Sequence, residues 1–163
     1  MTKTLLVVFH SMTGGTRQMA EAAARAAAAE GVDVRLLEAR AAMAEDVLVA
    51  DGYLFATPEN LAAIAGMMKD FFDRTYYAAL GRIEGRPYAL MVCAGSDGSN
   101  AARQVARIAT GWRLRAVAEP LIVCTHAQTP EAILAPKVIG AEDNARCEEL
   151  GATLAAGMAI GMF

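Results

Sequence analysis

Runs of apolar residues alternate with amphipathic segments along the whole chain. Four continuous apolar runs lie at residues 5–9, 52–56, 88–93 and 120–124. Continuous runs of this length are typical of strands that are covered on both faces of a parallel sheet. Residues 32–36 instead alternate apolar and polar side chains, which is typical of a strand at a sheet edge. We therefore expect five strands, with the first one central and the second at an edge.

The segments between these strands carry helical periodicity. Residues 16–30 are rich in alanine, the strongest helix former. Three further segments repeat apolar residues at spacings of three and four, which places those residues on one helix face. The three stripes are Ile64, Met67, Met68, Phe71 and Phe72; Ala102, Val105, Ile108, Ala109 and Trp112; and Cys147, Leu150, Leu154 and Met158. Such periodicity indicates packing against a core and not a cofactor contact.

Alternating strands and helices predict an α/β fold. Because crossovers between parallel strands are short and right-handed, the helices should cover both faces of one sheet. We expect a single domain over residues 1–163, a three-layer sandwich around a five-stranded parallel sheet. The edge-like second strand agrees with the order 2-1-3-4-5, with strands numbered along the chain, which is a known order of doubly wound sheets. In such a sheet a ligand binds outside the carboxyl ends of the strands, here between strands one and three.

Composition and charge exclude several classes of function. Fifteen Lys and Arg against eighteen Asp and Glu give a net charge of −3, so no basic surface for nucleic acid is expected. Cys93, Cys124 and Cys147 are far apart and odd in number, which predicts reduced, buried thiols and neither disulfides nor a metal site. No export signal and no membrane span is recognisable, so a cytoplasmic location is expected.

The segment after the first strand carries the clearest candidate chemistry. Residues 10–16, with the sequence HSMTGGT, lie directly before the first long helix. Hydroxyl and glycine N–H groups can donate to a phosphate, which the positive end of a helix dipole also attracts. The segment lacks both the lysine of a P-loop and the GxGxxG spacing of a dinucleotide site. A terminal monophosphate is therefore the better guest, and an ordinary strand-to-helix turn is the alternative.

Together with two further loops, this segment resembles the flavodoxin-like superfamily, which includes flavodoxins and NAD(P)H-dependent FMN and quinone reductases. The matching motifs are Ser11-x-Thr13-Gly14-x-Thr16, Ala50-Asp51-Gly52 leading a strand into Thr57-Pro58, and the small-residue loop Ala94-Gly95-Ser96-Asp97-Gly98-Ser99. Flavodoxin itself has the strand order 2-1-3-4-5. The resemblance spans nearly the whole chain and implies a flavoprotein with one bound FMN.

The resemblance also implies the residues of the site. The FMN phosphate would be held by Ser11, Thr13, Gly14, Gly15 and Thr16, with the Thr57 hydroxyl reaching it from the third strand. The isoalloxazine ring would be bordered on one side by Pro58, Glu59, Asn60 and Leu61. On its other side would lie Ala94, Gly95, Ser96, Asp97 and Gly98. No catalytic side chain is expected, because the flavin performs the electron chemistry.

The two loops beside the ring separate an enzyme from an electron carrier. Carrier flavodoxins resemble one another in stacking an aromatic residue on the flavin, and neither loop contains one. A flavin ring without a stacked aromatic residue resembles that of the reductases. The resemblance therefore implies an oxidoreductase that takes hydride from NAD(P)H and passes electrons to a quinone, a flavin or a similar acceptor. The alternative is a flavodoxin-type carrier that serves a redox protein. A response-regulator domain is excluded, because no acidic pair follows the first strand.

For several other polar and aromatic residues, a structural or surface role is at least as good an explanation as a functional one. His10 is expected to be a hydrogen-bonded structural histidine, with a contact to phosphate or substrate as the alternative. His126 is expected to be a surface loop residue, with a place at the mouth of the crevice as the alternative. Arg17 and Arg103 could steer an anionic nicotinamide cofactor, although a solvated helix face explains each of them equally well. The pair Tyr76-Tyr77 offers an apolar patch for a homodimer.

Overall fold

A computed structural model describes residues 1–163, in which strands and helices alternate as expected. The strands are β1 (Thr4–Phe9), β2 (Asp33–Glu38), β3 (Gly52–Asn60), β4 (Ala63–Ile64), β5 (Pro87–Ala94), β6 (Arg115–Ala116) and β7 (Leu121–Cys124). The helices are α1 (Gly15–Ala28), α2 (Ala44–Val49), α3 (Gly66–Ala79), α4 (Ser99–Gly111), α5 (Pro130–Leu134) and α6 (Ala141–Ala159).

The parallel sheet has the expected order. β2, β1, β3 and β5 are neighbours in that sequence, and β7 pairs with the carboxyl-terminal half of β5. The expected five-stranded framework of order 2-1-3-4-5 is confirmed. Two short strands add to it. β6 pairs with the first two residues of β5, so β6 and β7 pair with the two ends of the same strand. β4 forms an antiparallel hairpin with the end of β3.

Helices cover both faces of the sheet. On one face, α2, α3 and α4 bury the aromatic cluster of Phe55, Phe71, Phe72 and Trp112. On the other face, α1 and α6 pack alanine and methionine side chains against the alternate residues of β1 and β5. β1 is buried along almost its entire length, whereas β2 has no buried residue and alternates exposed and half-buried residues over its first half. The expected central and edge positions of these two strands are confirmed.

Three local expectations require correction. Ile64 belongs to β4 and not to the helix that follows, because the chain first closes a hairpin. Tyr76 stacks on Trp112 with ring centroids 5.6 Å apart, so only Tyr77 of the expected patch is largely exposed. All three cysteines are free as expected, but Cys124 is only half-buried.

No helix has the length and apolar content needed to cross a membrane. No group of His, Cys, Asp and Glu side chains is arranged to hold a metal ion.

Candidate functional site

A cavity of 520 Å³ opens at the carboxyl ends of β1, β3 and β5, a volume typical of a small-molecule site. It lies where the chain leaves β1 towards α1 on one face and β3 towards α3 on the other. Most of the residues expected at a cofactor site line it. They are Ser11, Thr13, Gly15, Thr16, Pro58, Glu59, Asn60, Leu61, Ala94, Gly95 and Ser96.

The loop between β1 and α1 presents backbone donors without partners. Gly14 caps α1 at a φ of 96°, a left-handed conformation that favours glycine, and its N–H donates to Ser11 Oγ over 3.0 Å. Five backbone N–H groups here donate to no acceptor within the protein, namely those of Met12, Thr13, Gly15, Thr16 and Arg17. Unpaired N–H groups at the start of a helix, here one of 14 residues, can bind an anion.

The side chains of this loop divide into open and buried hydroxyls. Ser11 and Thr13 are half-buried and line the cavity, so their hydroxyls can donate to a ligand. Thr16 is 2% exposed and, like Cys93, lines the cavity. Burial raises the pKa of Cys93, and the neighbouring Thr16 hydroxyl partly opposes that rise. Cys93 is therefore a protonated, packed thiol in the cavity wall.

Close packing explains the second glycine of the loop. A Cβ atom on Gly15 would lie 2.8 Å from Cys93 Sγ and 3.4 Å from Lys137 Cβ. Gly15 thus lets the loop approach β5 on one side and the chain after α5 on the other.

The second wall of the cavity is the β3–β4 hairpin. Its two turn residues, Leu61 and Ala62, have φ values of 51° and 62°, as in a type I′ turn. Asn and Gly normally occupy such a turn, and a left-handed non-glycine residue costs about 1 to 2 kcal/mol. Leu61 is fully exposed at the tip. The strained turn holds an apolar side chain at the cavity mouth.

Three side chains fix this hairpin to α4. The Glu59 carboxylate accepts the N–H of Gly98 over 2.9 Å and that of Ala101 over 3.1 Å. Asn100 Nδ2 donates to the Ala62 carbonyl, and Gln104 Oε1 accepts the N–H of Ile64. A carboxylate at a helix N-terminus also interacts favourably with the helix dipole. The hairpin is therefore firmly attached to α4, the helix that follows the loop after β5.

The third wall is the loop after β5. The carbonyls of Ala94 and Gly95 accept N–H groups of Thr125 and His126, over 2.8 Å each. The N–H groups of Gly95, Ser96 and Asp97 have no acceptor within the protein. This loop can therefore offer hydrogen-bond donors to the polar edge of a ligand.

Four expected site residues do not line the cavity, and they have structural roles. Thr57 is 1% exposed, and its hydroxyl donates to the Pro58 carbonyl and accepts the N–H of Ala65. This hydroxyl is buried between the hairpin and α3, and the expected contact from Thr57 to a phosphate stays a prediction. Gly14 and Gly98 are left-handed N-caps, and the Asp97 carboxylate accepts the N–H of Ser99.

One wall was not expected from the sequence. Ile133 and Lys137, from α5 and the chain that follows it, line the cavity, and Lys137 donates its backbone N–H to Thr13 of the loop between β1 and α1. Thr125, Ala127 and Gln128, from the connection between β7 and α5, line it as well. These residues show no motif, and Lys137 contacts Gln18, which is more than 100 residues away along the chain.

The two histidines and Arg17 lie outside this cavity. His10 lines a neighbouring cavity and makes no side-chain hydrogen bond, so the expectation of a hydrogen-bonded histidine is wrong. Burial lowers the pKa of His10, and Glu38 partly opposes this. Glu38 also binds Arg17 over 2.7 Å and Arg40 over 2.8 Å. His126 is an exposed loop residue, as expected.

Comparisons with known proteins agree with this geometry. The model of the family described as NADPH-dependent FMN reductase matches residues 4–128. A flavodoxin from Aquifex aeolicus (strain VF5) is 40% identical over 83 residues, which cover 50% of this chain and 45% of that relative. The match thus spans about half of each protein.

Solved structures with similar folds cover almost the whole chain. A flavodoxin from the domain Archaea has a TM-score of 0.76 at 19% identity, covering 93% of this chain and 96% of the other. Rubredoxin oxygen:oxidoreductase from Desulfovibrio gigas has a TM-score of 0.79 at 16% identity, covering 99% of this chain and 37% of the other. These likenesses establish the flavodoxin-like fold. Because the family model matches most of its length, the chain belongs to the NADPH-dependent FMN reductase family of the flavodoxin-like superfamily.

Proposed function

We propose that this protein binds one FMN in the cavity and is an oxidoreductase that takes hydride from NAD(P)H and passes electrons to a quinone, a flavin or a similar small acceptor. The observation that carries the proposal is the set of unpaired N–H donors at the start of α1, beside a cavity without aromatic residues. The family match and the flavodoxin relative support the choice of FMN.

The phosphate end of the cavity fits a monophosphate ester. Such a phosphate carries about −1.5 to −2 charges and strong acceptor oxygens. The N–H groups of Thr13, Gly15 and Thr16 and the hydroxyls of Ser11 and Thr13 can replace its hydration. They would bind the phosphate and fix its position without a lysine ammonium.

The ring end of the cavity fits an accessible flavin. The hairpin and the loop after β5 provide two walls, and the N–H groups of Gly95 and Ser96 can orient the polar edge of the ring. When bound, FMN would supply the chemistry of accepting hydride and releasing electrons. The residues that line the cavity would bind and orient the ring, and none of them is aromatic. A nicotinamide can therefore approach to about 3 to 3.5 Å, the distance that hydride transfer needs.

The second candidate function is an electron carrier, which the Aquifex aeolicus flavodoxin relative favours. A carrier exchanges single electrons with a redox protein and does not need access for a nicotinamide. The two functions differ in one measurable property, direct reduction by NAD(P)H.

We expect NADH or NADPH to reduce the FMN-loaded protein directly within minutes under anaerobic conditions. The oxidised flavin absorption band should bleach, because no aromatic side chain blocks the approach of the nicotinamide. A one-electron chemical reductant serves as the positive control for an intact site. If that reductant bleaches the band and neither nicotinamide does, the carrier function replaces the enzyme.

The chain offers a matched variant for this experiment. Leu61 is fully exposed at the hairpin tip, so Leu61→Trp adds an aromatic group at the cavity mouth without disturbing the core. This variant should bind FMN at least as tightly and be reduced more slowly by NAD(P)H. The one-electron reductant should act on both proteins alike.

A further inference from the structure

The connection between α5 and α6, residues 135–140, lies against the phosphate loop and outside the residues that the family model matches. Lys137 donates its backbone N–H to the Thr13 carbonyl over 2.9 Å. Its Nζ donates to the carbonyls of Ala132, Ile133 and Ala135, so the ammonium has no donor left for a ligand. Lys137 therefore holds this connection in place, and its Nζ has no hydrogen left to bind a phosphate.

One side chain of α1 joins the phosphate loop to this connection. Gln18 Nε2 donates to the Gly14 carbonyl over 2.9 Å and to the Lys137 carbonyl over 2.7 Å. Gln18 Oε1 accepts the N–H of Ile139 over 2.9 Å. Both donors and the acceptor of the amide are used, and the surrounding groups fix which end is nitrogen. Gln18 bridges two segments that share no other side-chain hydrogen bond.

This bridge reinforces the backbone hydrogen bond of α1 that fixes where the Gly15 N–H points. The C=O and N–H of a trans peptide point in opposite directions. Gln18 holds the Gly14 carbonyl with its backbone N–H over 3.1 Å and with its side-chain Nε2, so the N–H of Gly15 in the same peptide points away from Gln18. Lys137 holds the Thr13 carbonyl with its backbone N–H, and the N–H of Gly14 in that peptide donates to Ser11 Oγ. With both carbonyls occupied on the far side, the loop offers N–H groups and not carbonyl oxygens to an anion.

We propose that Gln18 is a positioning residue of the phosphate site, which fixes the loop between β1 and α1 so that its N–H groups bind the phosphate of FMN. The inference deepens the proposed function and depends on FMN as the ligand. Gln18 acts through the Gly14 peptide and does not line the cavity itself. Its loss should weaken recognition of the phosphate and leave recognition of the ring unchanged.

The test is the ratio of the dissociation constants of riboflavin and FMN, measured by flavin fluorescence on the full chain. Riboflavin lacks only the phosphate, so the ratio isolates the phosphate site from the ring site. Gln18→Met removes three hydrogen bonds at nearly constant side-chain volume, and we expect it to lower the ratio about tenfold. Gln104→Met is the matched control, since Gln104 makes one hydrogen bond at the ring end. It should leave the ratio within about twofold of the wild-type value.

A second variant keeps the proposal testable if Gln18→Met does not fold. Gln18→Glu has the same shape and still accepts the N–H of Ile139, but it loses both donated hydrogen bonds. It should lower the ratio by at least as much, because its carboxylate also repels a phosphate. If both folded variants keep the wild-type ratio, the inference is overturned while the FMN site stands. A wild-type protein that does not prefer FMN to riboflavin contradicts the phosphate site itself.

Discussion

Replacing Gly98 by alanine is expected to lower the free energy of unfolding by about 3 kcal/mol. Gly98 caps α4 at a φ of 84°, where an L-residue costs about 1 to 2 kcal/mol. An added Cβ would also lie 2.7 Å from Ile122 Cγ2 and 3.1 Å from Ala94 Cβ, inside van der Waals contact. Overpacking of this kind adds about 1 to 3 kcal/mol. Urea unfolding of the ligand-free protein measures the sum.

Gly81→Ala provides the matched control for this prediction. Gly81 has a φ of 76° and nothing within 4 Å of an added Cβ. It therefore reports the backbone cost alone, about 1 kcal/mol. Equal losses in the two variants would contradict the packing argument. A Gly98→Ala protein of normal stability that no longer binds FMN would instead restore the role expected from the sequence, a direct cofactor contact.

Glu59→Ala is expected to cost about 2 to 3 kcal/mol of stability and to weaken the binding of FMN and riboflavin alike. The Glu59 carboxylate accepts N–H groups of Gly98 and Ala101 at the start of α4, and each hydrogen bond is charge-assisted. Without it, two donors lose their partner and the hairpin loses its firmest attachment. The change affects the ring end of the cavity, so the ratio of the two dissociation constants should stay constant.

Two exchanges calibrate the Glu59 experiment. Glu59→Gln keeps one good acceptor and should cost about half as much as the alanine exchange. Glu21→Ala removes an exposed carboxylate that lies 3.9 Å from Arg17, and it should change stability by less than about 0.5 kcal/mol. Thermal or urea unfolding compares all three variants. A Glu59→Ala protein as stable as Glu21→Ala would mean that the hairpin does not depend on this carboxylate.

The parallel framework could be predicted because its causes are local. A strand such as β1 is apolar at every position since it is covered on both faces, and β2 alternates since one side meets water. The loops at the carboxyl ends then converge on one cavity whatever their sequence. The motif from Ser11 to Thr16 could be assigned to that cavity by its position after the first strand.

The hairpin could not be predicted for a specific reason. Its turn residues, Leu61 and Ala62, lack the Asn-Gly signal of a type I′ turn, and the conformation is held by contacts from α4. Ile64 happens to continue the helical spacing of Met67 and Met68, so periodicity extended the helix into the hairpin. The burial of the Thr57 hydroxyl could not be predicted for the same reason, since only the packed hairpin shows it.

The cavity wall formed by α5 and the residues after it also depends on long-range contacts. Gln18 and Ile139 are 121 residues apart, and neither belongs to a recognisable motif. A glutamine on a helix ordinarily faces solvent, and a lysine in a loop ordinarily indicates an exposed charge. Only the fold brings Gln18 and Lys137 against the phosphate loop, where both side chains have structural roles.

The most direct test of the central claim is a titration of the ligand-free protein with FMN and with riboflavin. The account predicts one FMN per chain and an affinity for riboflavin at least about 100-fold lower, since two or more charge-assisted hydrogen bonds to the phosphate are lost. Binding of neither flavin would contradict an FMN protein. Equal binding of both would show that the donors at the start of α1 do not hold a phosphate.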